Sequence, residues 1–394
     1  MKIKSNFSLK YIFCIIIIII SGCNNLSSNN SLNASDIQNQ TSTTSEITPY
    51  RTEAQVIAVG DIMMHMAQIQ SGYDAQTNTY SYPTFFKEVE PILSQGDWVI
   101  GNLETTLAGL EANYSGYPLF NAPESIADSM KDAGFNIIST TNNHSLDRGE
   151  IGVLNTLKNL QERGLIPVGT YASAEDKAKI LMVEKNEINM AILAYTYGTN
   201  GISVPDGKDY LVSFINEAQI IEDITQAKAE NADVVTVILH FGNEYERYPN
   251  QQQKDIVESL VEAGADIILG SHPHVVQPYE MFEINESNGE IRKAVAIYSM
   301  GNFISYQIGN YKDLGVIFKV HLEKDFPSEE IEITGVEAIP TYIQNYRLNN
   351  RLNFRVLPLE ETLKTQDDSL ISPQQYSLFE TYLNQMNTHL SSMN

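Results

Sequence analysis

Basic residues are scarce in this 394-residue chain: 25 Lys and Arg stand against 49 Asp and Glu, a formal charge of −24. Such a surface repels phosphate-rich partners, which argues against a polybasic nucleic-acid or anionic-membrane binder. Cysteine is nearly absent, with only Cys14 and Cys23, and tryptophan occurs once, as Trp98. A spanning hydrophobic run is missing near the start, because the apolar stretch Tyr11 to Ile20 is about half of the roughly 20 residues a transmembrane helix needs. What is present is ordinary globular material: 42% hydrophobic residues and 14 prolines supply enough apolar surface for a large core.

The first 22 residues read as a secretory leader, with Lys2, Lys4 and Lys10 preceding the apolar run and Ser21-Gly22-Cys23 following it. Ile20-Ser21-Gly22-Cys23 resembles a bacterial lipobox, which implies cleavage before Cys23 and a lipid on that cysteine. Removing residues 1–22 deletes three lysines and no acid, taking the balance from −24 to −27. No cysteine is then left for a disulfide or a thiolate metal site. From residue 23 to residue 53 the chain is rich in Ser, Asn, Thr and Gln, too polar to offset the entropy of ordering, so a solvated tether is expected, with the folded domain (54–394) starting near Ala54. The expected location is extracytoplasmic, on the outer face of the bacterial cytoplasmic membrane.

Beyond Ala54, short apolar runs alternate with amphipathic stretches. Val56-Ile57-Ala58-Val59, Trp98-Val99-Ile100, Asn136 to Ser139, Val234 to Leu239 and Asp266 to Leu269 read as buried strands. Helices are expected over Pro83 to Leu93, Pro123 to Ala133, Glu150 to Arg163, Asn216 to Glu230, Gln251 to Ala263 and Ser372 to Leu390. Further strands are expected at Ile180 to Glu184, Met190 to Tyr195, Ala294 to Ser299, Val316 to His321 and Ile331 to Ala338, with Asn186-Glu187 as a hairpin turn. The low-charge stretch Tyr342 to Asn350 reads as a surface connection. A layered α/β domain with a mixed sheet is the economical account.

Each of the first five strands ends in a polar cluster: Gly60-Asp61 to His65, Gly101-Asn102-Leu103-Glu104, Thr141 to Asp147, His240 to Glu244, and Gly270 to His274. Five of the seven histidines lie there. In an open α/β sheet the carboxyl ends of the strands form one rim, so these clusters are expected to converge on one crevice. Asp61, Glu104, Asn143, His240, His272 and His274 would make a mixed oxygen and nitrogen donor set without sulfur, suited to one or two Mn, Zn or Fe ions. His144 or Asp147 would then move protons. His65 and Glu244 are additional candidates, and Gln277 and Asn302 have no role that the residues assign.

The succession Gly60-Asp61, Gly101 to Glu104, Asn142 to Gly149, His240 to Glu244, Gly270 to Gln277 and Ser299 to Phe303 resembles the CapA family of poly-γ-glutamate capsule proteins. That family is similar to the calcineurin-like metallophosphoesterases, which implies a four-layered α-β-β-α sandwich and a dinuclear site. The resemblance implies that Asp61 and His274 hold one ion, that Asn143, His240 and His272 hold the other, and that Glu104 bridges. It also implies that His144 assists the transition state. Two positions depart from the pattern: Met63 stands where a ligand histidine is usual, and Glu104 where the bridging residue is usually aspartate. Either His65 supplies the missing ligand or one ion site is weakened. The implied roles are a metal-dependent hydrolase or transferase acting on the γ-glutamyl polymer or a phosphate ester, or a non-catalytic component of capsule assembly. The leader and acidic domain also permit a transport-linked binding lipoprotein, which would leave the histidine clusters unexplained. The capsule synthesis machinery is a further expected partner.

Overall fold

A computed structural model describes residues 48–286 and 289–394. The expected leader, Cys23 and the tether up to residue 47 lie outside the described residues. The first half runs β1 (Tyr50–Ile62), α1 (Met66–Ser71), β2 (Tyr73–Asp74), β3 (Thr79–Tyr80), α2 (Glu90–Leu93), β4 (Trp98–Leu103), α3 (Ser125–Asp132), β5 (Ile137–Ser139), α4 (Gly149–Gln161) and β6 (Ile166–Val168). Next come α5 (Ala174–Lys177), β7 (Leu181–Lys185), β8 (Ile188–Thr196), α6 (Glu217–Ala229), β9 (Val234–His240), α7 (Gln251–Glu262), β10 (Ile267–Ser271), β11 (Val276–Asn285) and β12 (Ile291–Met300). The chain ends with β13 (Asn302–Ile304), β14 (Leu314–Phe326), β15 (Ile331–Leu348), β16 (Arg351–Pro358), α8 (Leu359–Thr365) and α9 (Pro373–Leu390).

Two large sheets form. One has the order β16-β15-β14-β1-β4-β5-β6, with β13 beside β1, and the other has β11-β12-β10-β9-β8-β7. Their facing sides share one apolar cluster, in which Ala58, Ile100 and Val316 of the first sheet pack with Ile192, Ile238 and Ile297 of the second. The opposite face of the first sheet buries Val59 and Val99 against Ile126, Met130 and Leu160 of α3 and α4. The outer face of the second buries Val235 and Ile268 against Ile224, Val257 and Leu260 of α6 and α7. The result is the expected α-β-β-α succession of four layers. Strands buried on both faces read as continuous apolar runs, which is why the central ones were visible in sequence.

Local chemistry sets the ends. Asn250 and Ser372 accept from the backbone three residues on, and Gln253 and Gln375 return the bond, closing capping boxes at α7 and α9. Asn186 and Glu187 both take positive φ, 51° and 62°, the geometry of a two-residue hairpin turn.

Four expectations need correction. Strand β1 starts at Tyr50, ahead of Ala54, because residues 50–53 pair with Phe326 to Glu323 of β14. The stretch Tyr342 to Leu348 is strand, paired with β16 in register Tyr342↔Leu357, so only Asn349-Asn350 turns there. Within Pro83 to Leu93 only Glu90–Leu93 is helical. The strand-end clusters come from two sheets, not from the rim of one.

Candidate metal centre

In the first sheet β1, β4 and β5 run parallel, so their carboxyl ends deliver Asp61, Glu104 and Asn142-Asn143 to one edge. In the second, β8, β9 and β10 run parallel and deliver Tyr197, His240 and the 271–274 turn. Asp61 reaches its place because β1 comes hard against the Gly301 segment. A Cβ on Gly60 would lie 1.9 Å from the Gly301 carbonyl oxygen, so only glycine fits.

Asp61, Glu104, Asn143, His240, His272 and His274 are all buried. Among the described residues, ligand atoms of Asp61, Glu104 and His240 lie within 4.8 Å of one another, and so do those of Glu104, His272 and His274. Glu104 belongs to both groups, with Oε1 3.6 Å from His240 Nε2 and 3.8 Å from His274 Nε2. His274 Nδ1 stands 3.0 Å from Asp61 Oδ2, and Asn143 Oδ1 stands 2.9 Å from His240 Nε2. The six side chains thus meet, with His274 beside Asp61 and His240 beside Asn143.

Outer contacts fix the donors. Asn102 Nδ2 donates to Asp61 Oδ1 at 2.8 Å, and Ser271 Oγ pairs with His240 Nδ1 at 2.9 Å. Asn142 Nδ2 donates to the Leu103 carbonyl at 2.9 Å, tying the Asn143 turn to the end of β4. His272 and His274 hold φ of +99° and +58° around Pro273, conformations that non-glycine residues adopt at a cost and that concentrate at functional sites.

Electrostatically the site is prepared for a cation. Burial and Asp61 raise the Glu104 carboxyl well above the usual range. Burial and the neighbouring imidazoles hold His240 well below its ordinary value, and burial, then His274, takes His272 to about 4. His240 and His272 are therefore neutral at pH 7, the form that ligates metal. Both Glu104 carboxylate oxygens and His272 Nδ1 are buried without a hydrogen-bond partner. Unpaired buried carboxylate oxygens are costly and sparse in native proteins; a divalent ion would satisfy them, so these residues fit one.

His144 and Asp147 adjoin the donors. His144 Nδ1 lies 2.7 Å from Asp147 Oδ2, which also accepts from the Phe120 N–H at 2.6 Å. The Phe120 ring stands edge-on to His144, with centroids 4.7 Å apart. His65 and Glu244 join neither donor group. His65 Nδ1 accepts the Tyr306 N–H at 3.2 Å, and Glu244 is exposed.

Sequence reasoning overlooked the loop after β8. Tyr197 packs on His272, with centroids 4.6 Å apart. Asn200 Oδ1 accepts from Asn143 Nδ2 at 3.3 Å, turning Oδ1 of Asn143 toward His240. The strand-end rule applied to Met190 to Tyr195 would have found this loop.

The family described as Bacterial capsule synthesis protein PGA_cap matches residues 55–307. The chain is 32% identical over 257 residues to the capsule biosynthesis protein CapA of Bacillus anthracis, covering 62% of this chain and 58% of that protein. It is 29% identical over 332 residues to the PGA biosynthesis protein CapA of Bacillus subtilis strain 168, covering 79% and 80%. Similar solved structures include a phosphatase from Mycoplasma pneumoniae, at 15% identity and TM-score 0.43, covering 74% of this chain and 94% of that one. Another is the calcineurin-like phosphoesterase YfkN from Bacillus subtilis, at 14% identity and TM-score 0.42, covering 74% and 91%. Every donor from Asp61 to His274 lies inside the matched stretch, and the chain belongs to the PGA_cap family of bacterial capsule synthesis proteins.

Proposed function

We propose that this chain is a lipid-anchored protein of the bacterial cell envelope that acts in capsule synthesis through a metal-dependent hydrolase or transferase site. The observation that carries the proposal is Glu104, fully buried with both oxygens unpartnered between two groups of imidazole and carboxylate donors. Asp61, Glu104, Asn143, His240, His272 and His274 would hold one or two ions, with Mn, Zn or Fe favoured by the mixed N and O donors. Such ions supply Lewis-acid polarisation of the scissile group and a more acidic water.

The chain's own residues do the rest. Asp147 holds His144 through Nδ1, and Nε2, 3.5 Å from Asn200 Nδ2, is the atom that would exchange a proton with the substrate. Asn200 and Asn102 hold Asn143 and Asp61 in orientation. The names of the relatives, with the family match, support a capsule polymer as substrate; a phosphoester is the other substrate class proposed. The lipid anchor at Cys23 and the outer-face location rest on the lipobox-like sequence.

A non-catalytic role in capsule assembly is the second reading, favoured by Met63 at the position where the resembling enzymes carry a ligand histidine. Metal analysis and a screen on phosphoesters and γ-glutamyl peptides separate the two. Metal-dependent turnover abolished by His240→Ala or His272→Ala is expected. Tight polymer binding with no turnover under any divalent ion would favour assembly.

A further inference from the structure

Two fully buried amides without a role in the metal cluster, Gln277 and Asn302, hold two loops together beside it. Gln277 Nε2 donates to the carbonyls of Glu246 at 2.8 Å and Tyr248 at 3.2 Å, while its Oε1 accepts from Gln253 Nε2 at 2.9 Å. Asn302, the register partner of Asp61, donates from Nδ2 to the Lys312 carbonyl at 2.8 Å and to Gln307 Oε1 at 3.1 Å. The loops so pinned interlock through two crossed contacts. Lys312 Nζ of the second loop sits 5.2 Å from the ring centre of Tyr245 in the first, and Arg247 Cζ of the first sits 3.8 Å from that of Tyr311 in the second. The Tyr245 ring is 6.1 Å from His274, which places this pair of loops at the edge of the metal cluster.

Neither cation on these loops meets a carboxylate at ion-pair distance, although Glu244, Glu246 and Asp313 lie on the same loops. Several sheltered cations elsewhere have carboxylate partners: Arg292 with Asp266 and Glu286, Arg355 with Asp368, Lys324 with Asp233. Among the described residues, neither Arg247 nor Lys312 forms an ion pair, and Arg247 Nε is buried without a partner. Nearby Glu246 is engaged by Asn243 Nδ2 at 3.1 Å, and Glu244 couples electrostatically to Glu104. With Nε enclosed and Nη2 4.0 Å from Met386 Sδ, the guanidinium stacked on Tyr311 keeps Nη1 for an anion. In a molecule at −24, long-range attraction for an acidic chain is absent, and salt screens the repulsion beyond about 8–10 Å. Affinity for such a chain has to come from cations at the rim.

We propose that Arg247 and Lys312, set by Tyr311 and Tyr245, form an anion-binding shelf that takes a carboxylate of an extended acidic substrate while another part of the same chain lies at Glu104 and His274. This rests on the reading that the cluster acts on an anionic capsule polymer. The test is calorimetric titration of the full chain with a γ-linked glutamate tetramer, with its amidated counterpart and with inorganic phosphate, metal content being measured on the same samples. Wild type is expected to bind the tetramer with an affinity that falls as salt rises. The R247Q/K312Q double variant is expected to bind it about tenfold or more weakly, with metal content and thermal midpoint unchanged. R247K/K312R, and Lys312→Gln alone should the double variant fail to fold, are expected to give small and intermediate losses. Equal binding by wild type and the charge-removed variants, equal binding of the amidated tetramer, or no binding by wild type would overturn the shelf. Displacement of the tetramer by equimolar phosphate would overturn the carboxylate assignment. A shelf that behaves as expected in protein holding no metal would leave this inference standing and remove the catalytic reading.

Discussion

A carboxylate with no exposure and no hydrogen-bond partner, as at Glu104, is expensive to keep charged inside a protein unless something cationic meets it. Glu104→Gln is therefore expected to raise the thermal midpoint of chelator-treated protein by a few degrees while losing the bound metal; calorimetry with and without chelator reads both. Ser271 supports His240 at Nδ1, and Ser271→Ala is expected to weaken metal affinity about 10- to 100-fold with the fold intact, as loss of an outer partner commonly does. Competition against a metal-binding dye would measure it. The donors themselves were legible because Asp, Glu and His at the ends of apolar runs have few structural uses. Their partners were not: Ser271, Asn200 and Gln277 are ordinary polar residues until the fold says what they touch, and Glu244, adjacent in sequence to the His240 strand, turned out to be exposed.

At the scale of elements, strands buried on both faces and helices with amphipathic spacing were visible in the sequence. The antiparallel side of the first sheet was harder. In β15 the burial alternates irregularly over Ile331–Leu348, so its second half, Tyr342 to Leu348, looked like a connection; pairing with β16, a non-local fact, makes it strand. Helix α9 was plain from Ser372-Pro373 and its apolar spacing, and its last turn docks His389, whose Nε2 lies 3.0 Å from the Val276 carbonyl oxygen. Burial, then Arg247, lowers this imidazole's pKa. As pH falls through about 6.5, the unfolded chain takes up a proton that the docked ring resists, so its contribution to stability is lost on acidification and is present above. Thermal melts from pH 7.5 to 5 are expected to fall less steeply for His389→Gln than for wild type; identical slopes would refute the link.

Across the whole molecule, two sheets packed face to face bring strand ends from distant parts of the sequence to one edge, Asp61 lying 213 positions from His274. The layers follow from the apolar patterning, but which strand ends would meet depended on how the sheets pack. A binding site shared between layers also ties metal affinity to folding: an ion held only by the folded chain stabilises by about 2.7 kcal/mol at a hundredfold excess over Kd. Chelation is accordingly expected to lower the thermal midpoint, and readdition of Mn or Zn to restore it. The most direct measurement is anomalous diffraction from crystals of the metal-loaded protein. Peaks at Glu104, among Asp61, Asn143, His240, His272 and His274, are expected. Crystals that hold no divalent ion there under saturating metal, or ions bound only elsewhere, would contradict the metal centre and the function built on it.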